Sequence, residues 1–287
     1  MNAGFKTYLS DLLNESIEHI SSVSGGDISL AYKISTANSD YFLKINNAPD
    51  ALTMFQTEVY GLQTIAKTYT IKTPEVTAYD MFEDSAFLLL EFIESKSPTS
   101  EDFGLLGTQL AHLHQCTSER FGLDNDNFIG RLPQPNSHHK TWTDFYTCER
   151  LQPQLELAKQ KGLLQESECP STELIKNRLQ PLFKNIKPSL LHGDLWSGNY
   201  LISKDGEPYL IDPAMYYGHN EVDIAMSKLF GGFSESFYEA YGPILPPDEH
   251  TSARIEIYQL YYLLVHLNMF GRSYYRSVSS ILKRHFI

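Results

Sequence analysis

A carboxylate and a carboxamide stand five positions apart in Leu191-His192-Gly193-Asp194-Leu195-Trp196-Ser197-Gly198-Asn199, and a second carboxylate, Asp212, closes the apolar stretch Tyr209-Leu210-Ile211 thirteen residues further on. The flanking segments read as strands, so both loops are expected at strand ends. Phosphoryl transfer needs one group to accept the proton of an attacking hydroxyl and others to hold a metal ion against the phosphates. The kinase catalytic loop H-R-D-x-x-x-x-N has this spacing, and Asp212 holds the place of the metal-binding Asp of D-F-G. Magnesium takes oxygen ligands and usually accepts only one or two from protein. Asp194 is therefore the candidate catalytic base, and Asn199 and Asp212 are candidate metal ligands. Either aspartate alone would read as the solvated end of a hairpin. The three together do not.

Upstream residues fall where that chemistry requires them. Tyr41-Phe42-Leu43-Lys44-Ile45 sets a lysine inside an apolar strand, and Glu58 follows fourteen residues later on a helical stretch. An ion pair between them would hold the ammonium against nucleotide phosphates; a strand lysine and a helical glutamate are each also common as solvated residues. Ser24-Gly25-Gly26-Asp27-Ile28-Ser29 precedes the lysine strand, where paired glycines let backbone N–H groups approach anionic oxygens. Gly25 and Gly26 are thus nucleotide candidates, with a plain turn as the equal alternative. The run Leu88-Leu89-Leu90-Glu91-Phe92-Ile93 ends just before the polar stretch Glu94–Ser100. Backbone groups of Glu91, Phe92 and Ile93 are the expected contacts for adenine, although a buried strand ending in a linker fits the same pattern.

The periodicity divides the chain in two. Residues 1–93 read as a helix over Lys6 to His19, strands over Ile28–Ile34 and Tyr41–Ile45, a helix over Ala51 to Lys67, and strands over Glu75–Tyr79 and Phe87–Ile93. Residues 94–287 are mainly helical, with candidates at Phe103–Gln115, Trp142–Lys161, Thr172–Phe183, Glu221–Phe230 and Ala253–Phe270, around a strand-loop-strand island from Leu190 to Ile211. The expected fold is α+β and protein-kinase-like: a small β-rich N-lobe that binds nucleotide and a large, mainly helical C-lobe that carries the catalytic loop and substrate site.

Composition removes several classes of function. A formal charge of −12 argues against a grip on nucleic acid or an anionic membrane. The longest apolar stretch, Ile255 to Phe270, is interrupted by Glu256, Gln259, His266 and Asn268 and is too short to span a bilayer. Met1 to Ser10 does not read as a signal peptide. Cys116, Cys148 and Cys169 are far apart and form no C-x-x-C pair, which suits a reducing cytoplasm and supplies no zinc set.

The sequence resembles the fructosamine (ketosamine) kinase family, distant relatives of aminoglycoside phosphotransferases and choline kinases. The resemblance spans nearly the whole chain and is most specific in Asp194-Leu195-Trp196-Ser197-Gly198-Asn199 and Gly130-Arg131-Leu132-Pro133-Gln134-Pro135-Asn136. It implies ATP- and Mg2+-dependent phosphorylation of the sugar carbon-three hydroxyl of a small-molecule or protein-bound ketosamine (fructosamine, ribulosamine or erythrulosamine), after which the product falls apart and the amine is deglycated. By position it makes Asp194 the proton acceptor, Lys44 and Glu58 the phosphate pair, and Asn199 and Asp212 the metal ligands. Asp223 resembles the aspartate that braces the catalytic loop, though a carboxylate at a helix N-terminus is favoured by the dipole in any case. Trp196 and His266 are substrate-side candidates; a core anchor and a satisfied buried histidine are the alternatives. The glycine loop lacks the cysteine many members carry, so no thiol regulation is implied, and Pro213 follows Asp212 where protein kinases have Phe. Rival readings are a kinase of an aminoglycoside, choline or plain sugar, and an inactive nucleotide-binding scaffold. A monomer is favoured, with the oligomeric state otherwise open.

Overall fold

The computed structural model describes residues 3–23 and 29–287. The N-terminal part is one five-stranded antiparallel sheet in the order β1-β2-β3-β5-β4, made of β1 (His19–Ser22), β2 (Leu30–Ser35), β3 (Asp40–Asn46), β4 (Val76–Phe82) and β5 (Ser85–Glu91). Helices α1 (Ala3–Leu13) and α2 (Ala51–Ala66) cover its two faces. The unbroken apolar run of β5 follows from this. Its side chains alternate between faces, so Phe87 and Leu89 join Phe5 and Leu9 of α1 in one cluster. Ala86, Leu88 and Leu90 join Phe55, Val59 and Leu62 of α2 in the other. Each such large side chain contributes about 1.5–3 kcal/mol on burial.

The expected helix from Lys6 to His19 stops at Leu13. Asn14 takes a left-handed conformation, φ +53°, a helix-ending geometry that asparagine tolerates. The chain then turns into β1, where Ile20 pairs with Ile34.

Beyond the sheet the chain is mainly helical. Thr99 caps α3 (Ser100–His114), with its side chain and that of Asp102 closing a reciprocal capping box. A short hairpin of β6 (Asn127–Ile129) and β7 (Leu132–Gln134) follows. The helix expected over Trp142–Lys161 is interrupted: α4 (Trp142–Phe145) passes through a π-helical turn, Tyr146–Leu151, into α5 (Gln152–Gln160). Pro153 has no N–H to give the Glu149 carbonyl four residues back, which disfavours a regular α-helix there. Then come α6 (Thr172–Leu179), β8 (Ser189–Leu191), β9 (Tyr200–Ile202), β10 (Pro208–Leu210), β11 (Tyr216–Gly218), α7 (Glu221–Leu229), α8 (Glu235–Tyr241), α9 (Thr251–Phe270) and α10 (Tyr275–His285).

The island read as one strand-loop-strand unit is two small sheets. β8 pairs with β11 and β9 with β10. The loop from 192 to 199 joins β8 to β9, and the loop from 211 to 215 joins β10 to β11. The pairing therefore delivers both loops side by side, and the Ile211 N–H donates to the Asn199 carbonyl at 3.1 Å. The fold is protein-kinase-like α+β. Among the described residues no helix is long and apolar enough to cross a membrane.

Candidate active site

The loop after β8 is held by a brace from below. Asp223, fully buried in the first turn of α7, accepts from the His192 N–H at 2.7 Å and the Gly193 N–H at 2.8 Å. The His114 ring contacts the same carboxylate at 3.0 Å. Tyr262 of α9 donates to the Gly193 carbonyl at 2.7 Å. Gly193 is required here: its φ is +85° and a Cβ would come within 2.1 Å of the Ala214 carbonyl oxygen. Burial holds His192 below the usual histidine range, so its ring is neutral. Nε2 donates to the Ile211 carbonyl at 2.8 Å and Nδ1 accepts from the Asp194 N–H at 3.2 Å. One imidazole thus ties the Asp194 loop to the residue before Asp212.

Asp194 is presented at the end of this scaffold. Burial pushes its carboxyl up to about 7, the charges of Asp212 and Asp223 add to that, and the Asn199 amide partly offsets it. A base poised near neutrality suits proton abstraction at neutral pH. The Asn199 Nδ2 donates to the Asp194 carbonyl at 2.9 Å and to its carboxylate at 3.3 Å. That orientation leaves the Asn199 amide oxygen with no hydrogen-bond partner among the described residues.

Lys44, Glu58 and Asp212 converge from three elements. Lys44 Nζ lies 2.7 Å from Glu58 Oε1 of α2 and is paired to Asp212 Oδ1. Burial alone would lower the lysine, but the Asp212 and Glu58 carboxylates outweigh it and hold the ammonium above its ordinary range. Burial pushes Glu58 up to about 7. Asp212, whose partial burial would raise it, is held low by Lys44. Asp212 is also a non-glycine residue at φ +54°, a strained conformation of the kind concentrated at functional sites. Gly61 lets α2 approach this segment, since a Cβ there would meet Pro213 Cγ at 2.8 Å.

The segment expected to receive adenine ends β5. The Glu91 N–H is committed to the Glu75 carbonyl at 2.8 Å and the Phe92 N–H to the Asp40 carbonyl at 3.2 Å. This narrows the expected donors to one: the Ile93 N–H bonds to no other described residue. Gly25 and Gly26 lie outside the described residues. Trp196 is not a core anchor. The residue is 40% exposed, and its ring folds over Gly198. His266 makes no hydrogen bond or ion pair to a carboxylate among the described residues; its ring lies among Phe230, Phe270 and Tyr274, and Nδ1 meets the Tyr262 carbonyl at 2.8 Å.

The donor set fits a nucleotide and magnesium. The Asn199 amide oxygen and the Asp212 carboxylate, on loops tied together by the Ile211 N–H bond to the Asn199 carbonyl, are a complement Mg2+ accepts when phosphates supply the rest, and an uncommitted N–H stands at the end of β5. Sequence reasoning passed over His192, His114 and Tyr262 as parts of the site. His192 had a signal, since it stands where the histidine of H-R-D stands. The other two act from helices remote in sequence, and only the fold reveals them. Gln134 and Asn136 of the Gly130–Asn136 run are buried and make no direct contribution to an acceptor surface.

The family model for fructosamine kinase matches residues 1–287. A "Probable ketoamine kinase" of Lactiplantibacillus plantarum is 39% identical over 282 residues, covering 98% of this chain and 99% of the relative. The chloroplastic protein-ribulosamine 3-kinase of Arabidopsis thaliana is 40% identical over 274 residues, covering 93% of this chain and 82% of the relative. A crystal structure from Haemophilus somnus 129PT, designated "Putative fructosamine-3-kinase", superposes with a TM-score of 0.88 at 30% identity, covering 99% of this chain and 97% of that one.

Proposed function

The chain belongs to the fructosamine kinase family, and from that premise we propose that it is an ATP-dependent kinase that phosphorylates the carbon-three hydroxyl of ketosamines through the residues assembled around Asp194. The observation that carries this reading is the meeting of Lys44, Glu58 and Asp212, with Lys44 and Asp212 separated by 168 positions in the chain. Such a cluster costs burial of charge and supports the family's phosphotransfer chemistry directly.

In this reading Asp194 takes the proton from the sugar hydroxyl as its oxygen bonds to the γ-phosphorus, while the bond from that phosphorus to the β–γ bridging oxygen breaks and ADP leaves. Lys44, held by Glu58, positions the phosphate oxygens. Asn199 and Asp212 would hold Mg2+, which supplies positive charge against the phosphates when bound. The Ile93 N–H orients the adenine. Asp223, through the His192 and Gly193 N–H groups, keeps the loop in register. Trp196 offers an exposed aromatic face to the sugar or its amine substituent, and His266 a polar edge within an aromatic surround. We place the boundary between lobes at Ile93, with residues 1–93 as the nucleotide lobe and 94–287 as the catalytic lobe, the single chain as the working unit and the cytoplasm as its compartment.

ATP turnover against fructose-, ribulose- and erythrulose-derived amines, free and on protein, tests the acceptor class. Aminoglycosides, choline and plain sugars serve as the competing panel. Turnover on ketosamines that stops in excess chelator is expected. Turnover confined to the competing panel would overturn the ketosamine reading, and no turnover on any acceptor would leave a nucleotide-binding scaffold.

A further inference from the structure

Behind the two aspartate loops lies a buried polar network made of Asn127, Gln134, Asn136, Arg150 and Tyr261. Arg150 is 0% exposed and Gln134 1% exposed. Arg150 has no acidic side chain within ion-pair distance among the described residues. It donates instead to the Pro135 carbonyl at 2.6 Å, the Glu149 carbonyl at 2.9 Å and Asn136 Oδ1 at 2.7 Å. Its guanidinium lies over the ring of Tyr216 at 3.9 Å. The Glu149 carbonyl is the one that Pro153 cannot serve, so the π turn and this arginine complete each other. Asn136 Nδ2 and Gln134 Nε2 both donate to Asn127 Oδ1 at 2.8 Å. Burying a guanidinium and three carboxamides in an apolar interior is unfavourable unless nearly every group is satisfied. A simple core filler would not need such a set.

The network ends on backbone. Asn127 Nδ2 donates to the Met215 carbonyl at 2.8 Å and Gln134 Nε2 to the Ala214 carbonyl at 3.2 Å. These carbonyls belong to the second and third residues after Asp212. The Ala214 oxygen is also the atom packed against Gly193, so it is clamped between the Gln134 amide and the catalytic loop. From the other side, Tyr261 donates to Gln134 Oε1 at 2.6 Å, while its neighbour Tyr262 holds Gly193. Two adjacent tyrosines of α9 therefore fix the two aspartate loops, one directly and one through Gln134.

We propose that these five side chains are positioning residues of the phosphotransfer site, which set the place of the Asp212 carboxylate relative to Asp194 by holding the Ala214 and Met215 carbonyls. The inference rests on the reading of Asp212 as a metal ligand. The test uses the full chain with Gln134→Met, Tyr261→Phe and Asp212→Asn. Binding of a non-hydrolysable ATP analogue is measured by calorimetry with and without Mg2+, alongside melting temperature and steady-state kinetics. Gln134→Met should cut the Mg2+-dependent gain in nucleotide affinity by about 10–100-fold, the range for loss of a group that orients a metal ligand, with metal-free affinity within about twofold. Its kcat should fall with little change in the acceptor KM. Tyr261→Phe should move the same quantities less far and decides the matter if Gln134→Met does not fold. A folded variant with only a lower melting temperature, its Mg2+ gain and kcat intact, would reduce the network to packing. Retention of the Mg2+ gain by Asp212→Asn would instead overturn the metal reading.

Discussion

Among the described residues no cation stands beside Asp194; its environment is burial, two neighbouring carboxylates and one amide. Lys44, by contrast, is surrounded by the charges that keep it an ammonium. The two residues should therefore fail in different ways when replaced. Asp194→Asn keeps the shape and loses the proton acceptor, so kcat should fall by about 10²–10⁴, while nucleotide affinity measured by calorimetry stays near the wild-type value. Near-normal kcat would remove Asp194 from the mechanism. Lys44→Met leaves Glu58 and Asp212 facing each other without a counter-charge, so both KM for ATP and kcat should worsen. An unchanged ATP dependence in initial-rate assays would return Lys44 to the status of a structural residue. These aspartates, the asparagine and the lysine were legible in the sequence because spacing alone relates them. Tyr261 and Tyr262 were not, since nothing in an apolar helical run marks which hydroxyl reaches Gln134, 127 positions earlier, and which reaches Gly193, 69 positions earlier.

The elements add a constraint of their own through α2. Glu58 and Gly61 are three positions apart on this helix, one reaching Lys44 and the other admitting Pro213. Gly61→Ala gains about 1 kcal/mol in helix propensity. It also places a Cβ against a proline ring that cannot rotate away, and such overpacking typically costs 1–3 kcal/mol. Net destabilisation should be small. The larger effect should be on the ion pair, since α2 must shift to make room: kcat/KM for ATP is expected to fall by about tenfold, the scale of a sub-ångström misplacement, with a melting temperature within a few degrees of wild type. Unchanged kinetics would mean that the helix and the Asp212 segment are not mechanically linked. Element types were readable from periodicity in α2, β3 and β5, where burial on one or both faces writes a clear pattern. The end of α1 was misread because a single left-handed Asn14 carries it. The π turn was hidden in a helical pattern that its one proline only hinted at, and β6, β7, α8 and α10 are short or weakly apolar.

At the scale of the whole molecule, the link between the sheet and the helical part is itself hydrogen-bonded. The Lys96 N–H donates to the Ile202 carbonyl at 2.9 Å, the Lys204 N–H to the Glu94 carbonyl at 3.0 Å, and the Leu210 N–H to the Lys72 carbonyl at 2.9 Å. The β9–β10 hairpin thus straps the segment after β5. Global stability then depends on the large core of the helical part, and there His219 contributes a defined pH window. His219 is buried and neutral: burial pushes its pKa down to about 4 from 6.5, the Glu221 carboxylate opposes this, and the Arg254 guanidinium supports it. Asp248, His114 and the Tyr258 hydroxyl complete its surroundings, the last at 2.8 Å from Nδ1. Between these two values the unfolded chain binds a proton that the folded chain refuses, so stability rises with pH across the window and is lost as pH falls through it. Each pH unit should cost about 1.4 kcal/mol from this residue, or about 3 kcal/mol over the full window. Urea unfolding of wild type and His219→Gln between pH 7.5 and 4.5 checks this. The variant should be the less stable of the two at pH 7.5, because it packs less well against Tyr258. Its curve should be flatter, so that the gap narrows and then reverses as acid is added. Parallel curves would place the acid sensitivity of the fold elsewhere than at His219.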